Sequence, residues 1–213
     1  MEKNYIEALK DKYKEFDYLF EDDYNSTIIH YGIINGNNKI LFIKPGLDGS
    51  LIGYKEKYYK LAKYINEKYG YTVVCSNNPS SKAKGTLYNA MDIIQNYIKF
   101  MNFTDYEIYY FGYSNGAVLG AIDAYKYPSI TKLLLINPPL FINFDKIQRG
   151  IEGFKGSKIT FVFGELDPST KYIGLLDLLK KDNLSYYIVK GEDHNLSNDT
   201  ISLEQLVEEH LVK

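Results

Sequence analysis

The chain has 213 residues, 45% of them hydrophobic and 24% charged, which is the balance of a globular chain long enough to bury a substantial core. Its formal charge of −2 and pI near 6.0, with lysines scattered along the sequence, leave no electrostatic footprint for nucleic acid or an anionic membrane. No stretch approaches the roughly 18 apolar residues of a membrane span. The opening "MEKNYIEALKDKYKEF" lacks the apolar core of a signal peptide, and the single cysteine, Cys75, suits a reducing compartment, so the expected location is cytoplasmic.

In chain order, Ile6, Leu9, Tyr13 and Phe16 fall at helical spacing and predict an amphipathic helix at about 2–16. "STIIHYGII", "NGNN" and "KILFIKPG" read as a hairpin closed by an Asn-Gly turn, whose second strand runs into the glycine-rich loop "PGLDGS". A helix striped by Tyr54, Tyr58, Leu61, Ala62 and Ile65 follows and ends at Gly70, the residue type suited to a left-handed cap. "YTVVCS" is a short strand, and Leu87, Ala90, Met91, Ile94 and Ile98 mark another helix.

"YEIYYFG" predicts a strand and "AVLGAIDAYK" a helix. "ITKLLLIN" is a strand ended by Pro138 and Pro139, which cannot donate to a ladder. Residues 139–157 read as irregular or weakly helical. After them come the strand "KITFVFG", the helix "KYIGLLDLLKK", the strand "SYYIVKG" and a closing helix marked by Leu203, Leu206, Val207 and Leu211. Strands and helices alternate from Lys39 onward, and the strands are near-continuous apolar runs. Both features predict one α/β domain over residues 1–213, with a mostly parallel central sheet and helices on both faces. The 22 tyrosines, with no tryptophan, read as rings packed at the core margin rather than as a ligand surface.

Between a strand and a helix lies Gly112-Tyr113-Ser114-Asn115-Gly116, a G-x-S-x-G in the strand–turn–helix context that gives the motif meaning. A tight turn there strains Ser114, leaves no room for side chains two residues away on either side, and lifts the hydroxyl clear of the sheet. The same residues also fit a plain serine-capped turn. A serine nucleophile needs a base, and the chain has three histidines. His30 lies mid-strand and His210 on the apolar stripe of the last helix. His194, in the polar loop "KGEDHNLSN" after a strand, is the candidate base. The orienting acid is expected at Asp167 in "TFVFGELDPST", with Glu165 and Asp145 as alternatives and Asp193 ranked low. Asp167 could instead cap the helix near Lys171.

The chain order Ser114, Asp167, His194 resembles that of the α/β-hydrolase family. "FGYSNG" is similar to that family's nucleophile elbow, "FVFGELDP" to its acid loop and "VKGEDHN" to its histidine loop. The resemblance spans roughly Ser26 to Lys213 and implies the α/β-hydrolase fold with a small or absent cap. It also implies that the oxyanion is held by the backbone N–H groups of Asn115 and, in the loop after the hairpin's second strand, Leu47. Many relatives have His-Gly where this chain has Pro45-Gly46.

The function expected on this basis is a serine esterase that hydrolyses a carboxylic ester or thioester of a small acyl substrate through an acyl-enzyme. The alternatives are a peptidase or acyltransferase on the same three residues, or a non-catalytic binding member of the fold. No cofactor is required: the sequence has no phosphate-loop or dinucleotide fingerprint and no cluster with zinc-ligand spacing.

Overall fold

Apolar, β-branched runs that local chemistry cannot satisfy alone become the sheet, and the amphipathic stretches between them become its helices. The computed structural model describes residues 13–24, 27–79, 86–179 and 181–213. The chain divides into two units, Met1–Ile108 and Tyr109–Lys213. The strands make a mostly parallel sheet with helices, antiparallel where the first strand pairs with the second and the second with the fourth. No helix among the described residues is long and apolar enough to cross a membrane.

The first unit holds β1 (Tyr18–Tyr24), β2 (Thr27–Ile34), β3 (Asn37–Lys44) and β4 (Tyr71–Ser76), in the order β1-β2-β4-β3. It also holds the helices α1 (Lys57–Tyr69) and α2 (Thr86–Phe100). Helix α1 buries Tyr58, Leu61, Ala62 and Ile65 and ends at Gly70 with φ 68°. The helix expected at about 2–16 lies outside the described residues as far as residue 12, and residues 13–17 are turn and bend.

The expected hairpin between β2 and β3 does not form. β4 lies between them, antiparallel to β2 and parallel to β3, with Ile33 opposite Val74 and Leu41 opposite Val73. The Asn35-Gly36 pair carries the chain across the start of β4 instead of turning it back on itself. Asn66 Nδ2 donates to the carbonyls of both Asn35 and Tyr71 at 2.8 Å. A Cβ on Gly36 would sit 2.4 Å from the Tyr71 carbonyl carbon, so the crossing needs glycine for closeness rather than for a turn. The hairpin partner of β2 is β1, at a charged stretch where the sequence reading places no strand.

The second unit carries β5 (Glu107–Tyr113, which begins at the end of the first), β6 (Ile130–Ile136), β7 (Lys158–Gly164) and β8 (Leu184–Val189). Their order is β5-β6-β7-β8, with β6, β7 and β8 parallel. Its helices are α3 (Asn115–Asp123), α4 (Phe144–Gly153) and α5 (Leu203–Val207). Residues 139–157 hold α4, whose Ile147, Gly150 and Ile151 are buried; Gly150 lies so close to α3 that a Cβ there would meet Ala121 O at 2.1 Å. The helix expected around Lys171 is a 3-10 helix, Pro168–Leu178, started by a proline and capped by the Asp167 side chain.

Lys44, at the end of β3, is fully buried, and its Nζ donates to Asn77 O at 2.8 Å. Burial pulls its pKa down to about 7 from the ordinary 10.5. From about pH 7 upward the unfolded chain therefore holds a proton that the folded chain sheds, and folding stability gains from rising pH by up to about 1.4 kcal/mol per unit. Urea unfolding at pH 7 and 8.5 should show this gain in the parent protein relative to Lys44→Met. Equal pH responses in the two proteins would contradict it.

Candidate active site

Ser114 lies between β5 and α3 with φ 51° and ψ −116°, outside the regions open to ordinary L-residues. Its N–H donates to Ile136 O at 2.7 Å, and its carbonyl accepts from Val118 N at 3.1 Å. The turn is tight. A Cβ on Gly112 would lie 2.7 Å from both Ala117 Cα and Gly116 O, so strand and helix approach closely only because residue 112 has no side chain. Asn115 is the first residue of α3.

His194 Nε2 lies 3.1 Å from Ser114 Oγ, and His194 Nδ1 is hydrogen-bonded to Asp167 Oδ2. Ser114, Asp167 and His194, which are far apart in sequence, therefore form one chain of contacts within Tyr109–Lys213. The Asp167 side chain is fully buried, whereas that of His194 is 40% exposed. Solvent reaches the imidazole but not the carboxylate behind it. Burial alone would raise the Asp167 pKa. Hydrogen bonds from His194 and Ser169 outweigh it and hold the group below the ordinary carboxylate value. An ionised carboxylate can only accept, so Nδ1 carries the proton of the neutral ring and Nε2 is left to accept from the Ser114 hydroxyl.

Asp167 also caps the following 3-10 helix, its Oδ1 accepting from Ser169 N at 2.5 Å. Its two sequence readings are thus compatible, with one oxygen serving each. The alternatives are engaged elsewhere. Glu165 Oε2 accepts from Gly191 N at 2.8 Å, Asp193 caps its own loop through Asn195 N, Ser197 N and Ser197 Oγ, and Asp145 sits in the first turn of α4. His30 pairs with Glu21 at 3.1 Å, and His210 is buried against the Tyr187 ring. Leu47 is in the first unit, in a loop fixed by Asp48 N to Asn78 O at 2.7 Å and by Asn78 Nδ2 to Pro45 O at 3.0 Å.

Glu192 is a residue the sequence reading passes over. Although it lies in a polar loop, it is fully buried. Its carboxylate accepts from Thr200 N at 2.8 Å, Thr200 Oγ1 at 2.7 Å and Asn198 N at 3.1 Å, so it holds the loop that carries His194. Its backbone carbonyl accepts from Leu166 N at 2.8 Å, which joins that loop to the one carrying Asp167. A carboxylate among small hydroxyl and amide residues, "GEDHNLSNDT", is the available sequence sign, but it does not distinguish Glu192 from Asp193.

No known family model matches the sequence, and no curated protein does. Solved structures do match in fold. An alpha-beta serine hydrolase homologue from Coxiella burnetii superposes with a TM-score of 0.62 at 14% identity, covering 84% of this chain and 89% of that one. Est1E from Butyrivibrio proteoclasticus, in a structure with ferulic acid bound, gives 0.63 at 14% identity over 91% of this chain and 100% of that one. A cold-adapted esterase from an Arctic intertidal metagenomic library gives 0.63 at 12% identity, with 83% and 85% covered. The chain has the α/β-hydrolase fold.

Burial pushes the Glu192 pKa up, but the bonds from Thr200 and Asn198 outweigh it and leave the group below its ordinary value. A depressed carboxylate stabilises the fold above its unfolded pKa and loses that contribution as pH falls through the folded one. Glu192→Gln should therefore cost about 1–3 kcal/mol at pH 7, and the deficit should shrink in acid below the ordinary glutamate range. Urea titrations of both proteins at pH 7 and pH 3 measure this. A deficit that does not depend on pH would count against the caged carboxylate.

Proposed function

We propose that the chain is a serine hydrolase that cleaves a carboxylic ester or thioester of a small acyl substrate through an acyl-enzyme. One observation carries the reading: the hydroxyl of a backbone-strained serine lies 3.1 Å from an imidazole whose other nitrogen is bonded to a buried carboxylate. Ser114 is the nucleophile, His194 the general base and Asp167 the residue that fixes the imidazole's tautomer and supports its cationic form.

In the first half-reaction Ser114 Oγ bonds to the substrate's carbonyl carbon while His194 Nε2 takes the hydroxyl proton. Negative charge on the carbonyl oxygen is met by the backbone N–H of Asn115 at the start of α3. The carbon–oxygen or carbon–sulfur bond then breaks, and His194 returns the proton to the departing alcohol or thiol. Water repeats the sequence on the acyl-serine and releases the acid. Esters and thioesters have better leaving groups than amides, which favours them over a peptidase reading. Fold relatives described as esterases support the same choice.

Beyond β6, Phe141 and Ile142 are exposed, and Phe141 packs on Tyr172 with ring centroids 4.9 Å apart. Leu166, beside Asp167, is exposed as well. These residues offer apolar surface for an acyl group, with residues 139–157 acting as no more than a minimal cap.

A fluorophosphonate probe read by intact mass should label the parent protein once and leave Ser114→Ala unlabelled. With p-nitrophenyl esters of graded chain length, Ser114→Ala and His194→Ala should lower kcat by about 10⁴- to 10⁶-fold and Asp167→Asn by about 10⁴-fold. Aminoacyl anilides should turn over far more slowly than the esters. A parent protein inert to the probe and to every ester would end the proposal.

A further inference from the structure

We infer that Asn137, the first residue after β6, is a positioning residue that holds the His194 loop over Ser114, with Tyr113 as its helper. The inference rests on the reading of Ser114, Asp167 and His194 as the reacting group. Asn137 is fully buried and adopts φ 48°, a left-handed conformation that asparagine tolerates better than most side chains. In the sequence it reads only as the last strand residue before Pro138 and Pro139.

The conformation turns its amide toward two loops at once. Oδ1 accepts from Gly164 N at 2.8 Å, at the end of β7, three residues before Asp167. Nδ2 donates to the carbonyls of His194 at 2.9 Å and Asp193 at 3.3 Å. Its own N–H donates to Val162 O at 2.8 Å, and the carbonyl just before it, on Ile136, accepts from Ser114 N. Residues 136 and 137 thus bond directly to the serine turn, to the strand leading to the acid and to the histidine loop. Tyr113, next to the serine, donates its hydroxyl to the same His194 carbonyl at 2.7 Å, with its ring edge-on to the imidazole.

Both side chains act on the backbone carbonyl of residue 194. Two donors on one carbonyl fix where residue 194 leaves its backbone, and so where the imidazole can reach. A misplacement of about 1 Å at such a group can cost on the order of 100-fold in rate.

The experiment compares the parent protein with Asn137→Gly, which removes the amide while keeping positive φ accessible. Tyr113→Phe, which removes one of the two donors, carries the test if the glycine variant does not fold. Two readouts are taken. The first is turnover of p-nitrophenyl acetate together with the rate of fluorophosphonate labelling. The second is the low-field proton NMR signal of His194 Nδ1–H, identified by its loss in His194→Ala.

In Asn137→Gly, kcat and labelling rate should fall roughly 10- to 100-fold with KM within about twofold of the parent, and the low-field proton should shift or vanish. Tyr113→Phe should move both readouts in the same direction by less. Variants that keep the proton signal in place and label within about twofold of the parent rate would overturn the inference. If the parent neither turns over nor labels while the proton signal still moves in Asn137→Gly, the positioning role stands and the hydrolase reading falls. If the parent is inert and the proton signal stays in place in Asn137→Gly, both fall.

Discussion

The second unit is organised around a single strained backbone. With φ 51° and ψ −116°, Ser114 occupies a state that costs on the order of 1–3 kcal/mol and persists only where its surroundings over-determine it. Those surroundings are identifiable. Ile136 O holds its N–H, Val118 N holds its carbonyl, and the absence of a side chain at Gly112 lets strand and helix close around it. The strain therefore has a geometric product: the direction of the Cα–Cβ bond is set by the backbone, and the hydroxyl has little else to decide. Every other group in the cluster is placed relative to that fixed oxygen.

Electrostatics follow from an asymmetry of burial. The carboxylate of Asp167 is closed off from water while the imidazole it touches is 40% exposed. A buried acid with no partner would rise in pKa and protonate. This one is bonded by His194 and Ser169, stays ionised and can only accept. That single fact orders the two ring nitrogens. Capping a helix start and orienting an imidazole are usually weighed as rival roles for an aspartate, yet here they reinforce each other, because the bond from Ser169 N fixes the carboxylate that His194 must find.

What the sequence made legible was local chemistry attached to apolar runs. Each of Ser114, Asp167 and His194 follows a strand that reads as continuous hydrophobic residues, and the G-x-S-x-G spacing states its own steric reason. What stayed hidden depends on neighbours remote in the chain. Asn35-Gly36 carries a strong hairpin signal, but the choice between β1, β4 and β3 as partners of β2 is made by sheet order, which no local pattern encodes. The 3-10 winding after Pro168 was concealed for a similar reason: the apolar positions of "KYIGLLDLLKK" suit either helix. Lys44 and Glu192 look like surface charges until the fold closes over them. Asn137 carries no motif at all, since its role exists only where three loops meet.

Strand spacing explains why the histidine loop is so heavily bonded. Neighbouring strands lie about 4.8 Å apart, and β8 is three strands from β5 in the order β5-β6-β7-β8, a lateral distance of roughly 14 Å. Asp167, at the end of β7, is closer to the serine turn than the strand from which the histidine departs. The chain beyond Val189 must therefore double back across the ends of β7 and β6 before His194 can meet Ser114. A free loop making that excursion would spread over many positions, at an entropic cost of about 1–2 kcal/mol for each residue it ordered. Glu192 and Asp193 brace the loop from within, Leu166 N holds it at the acid loop, and Asn137 and Tyr113 hold it at its far end. The bonds accumulate along the path of the excursion because an unbraced imidazole would have no reason to stop beside the serine.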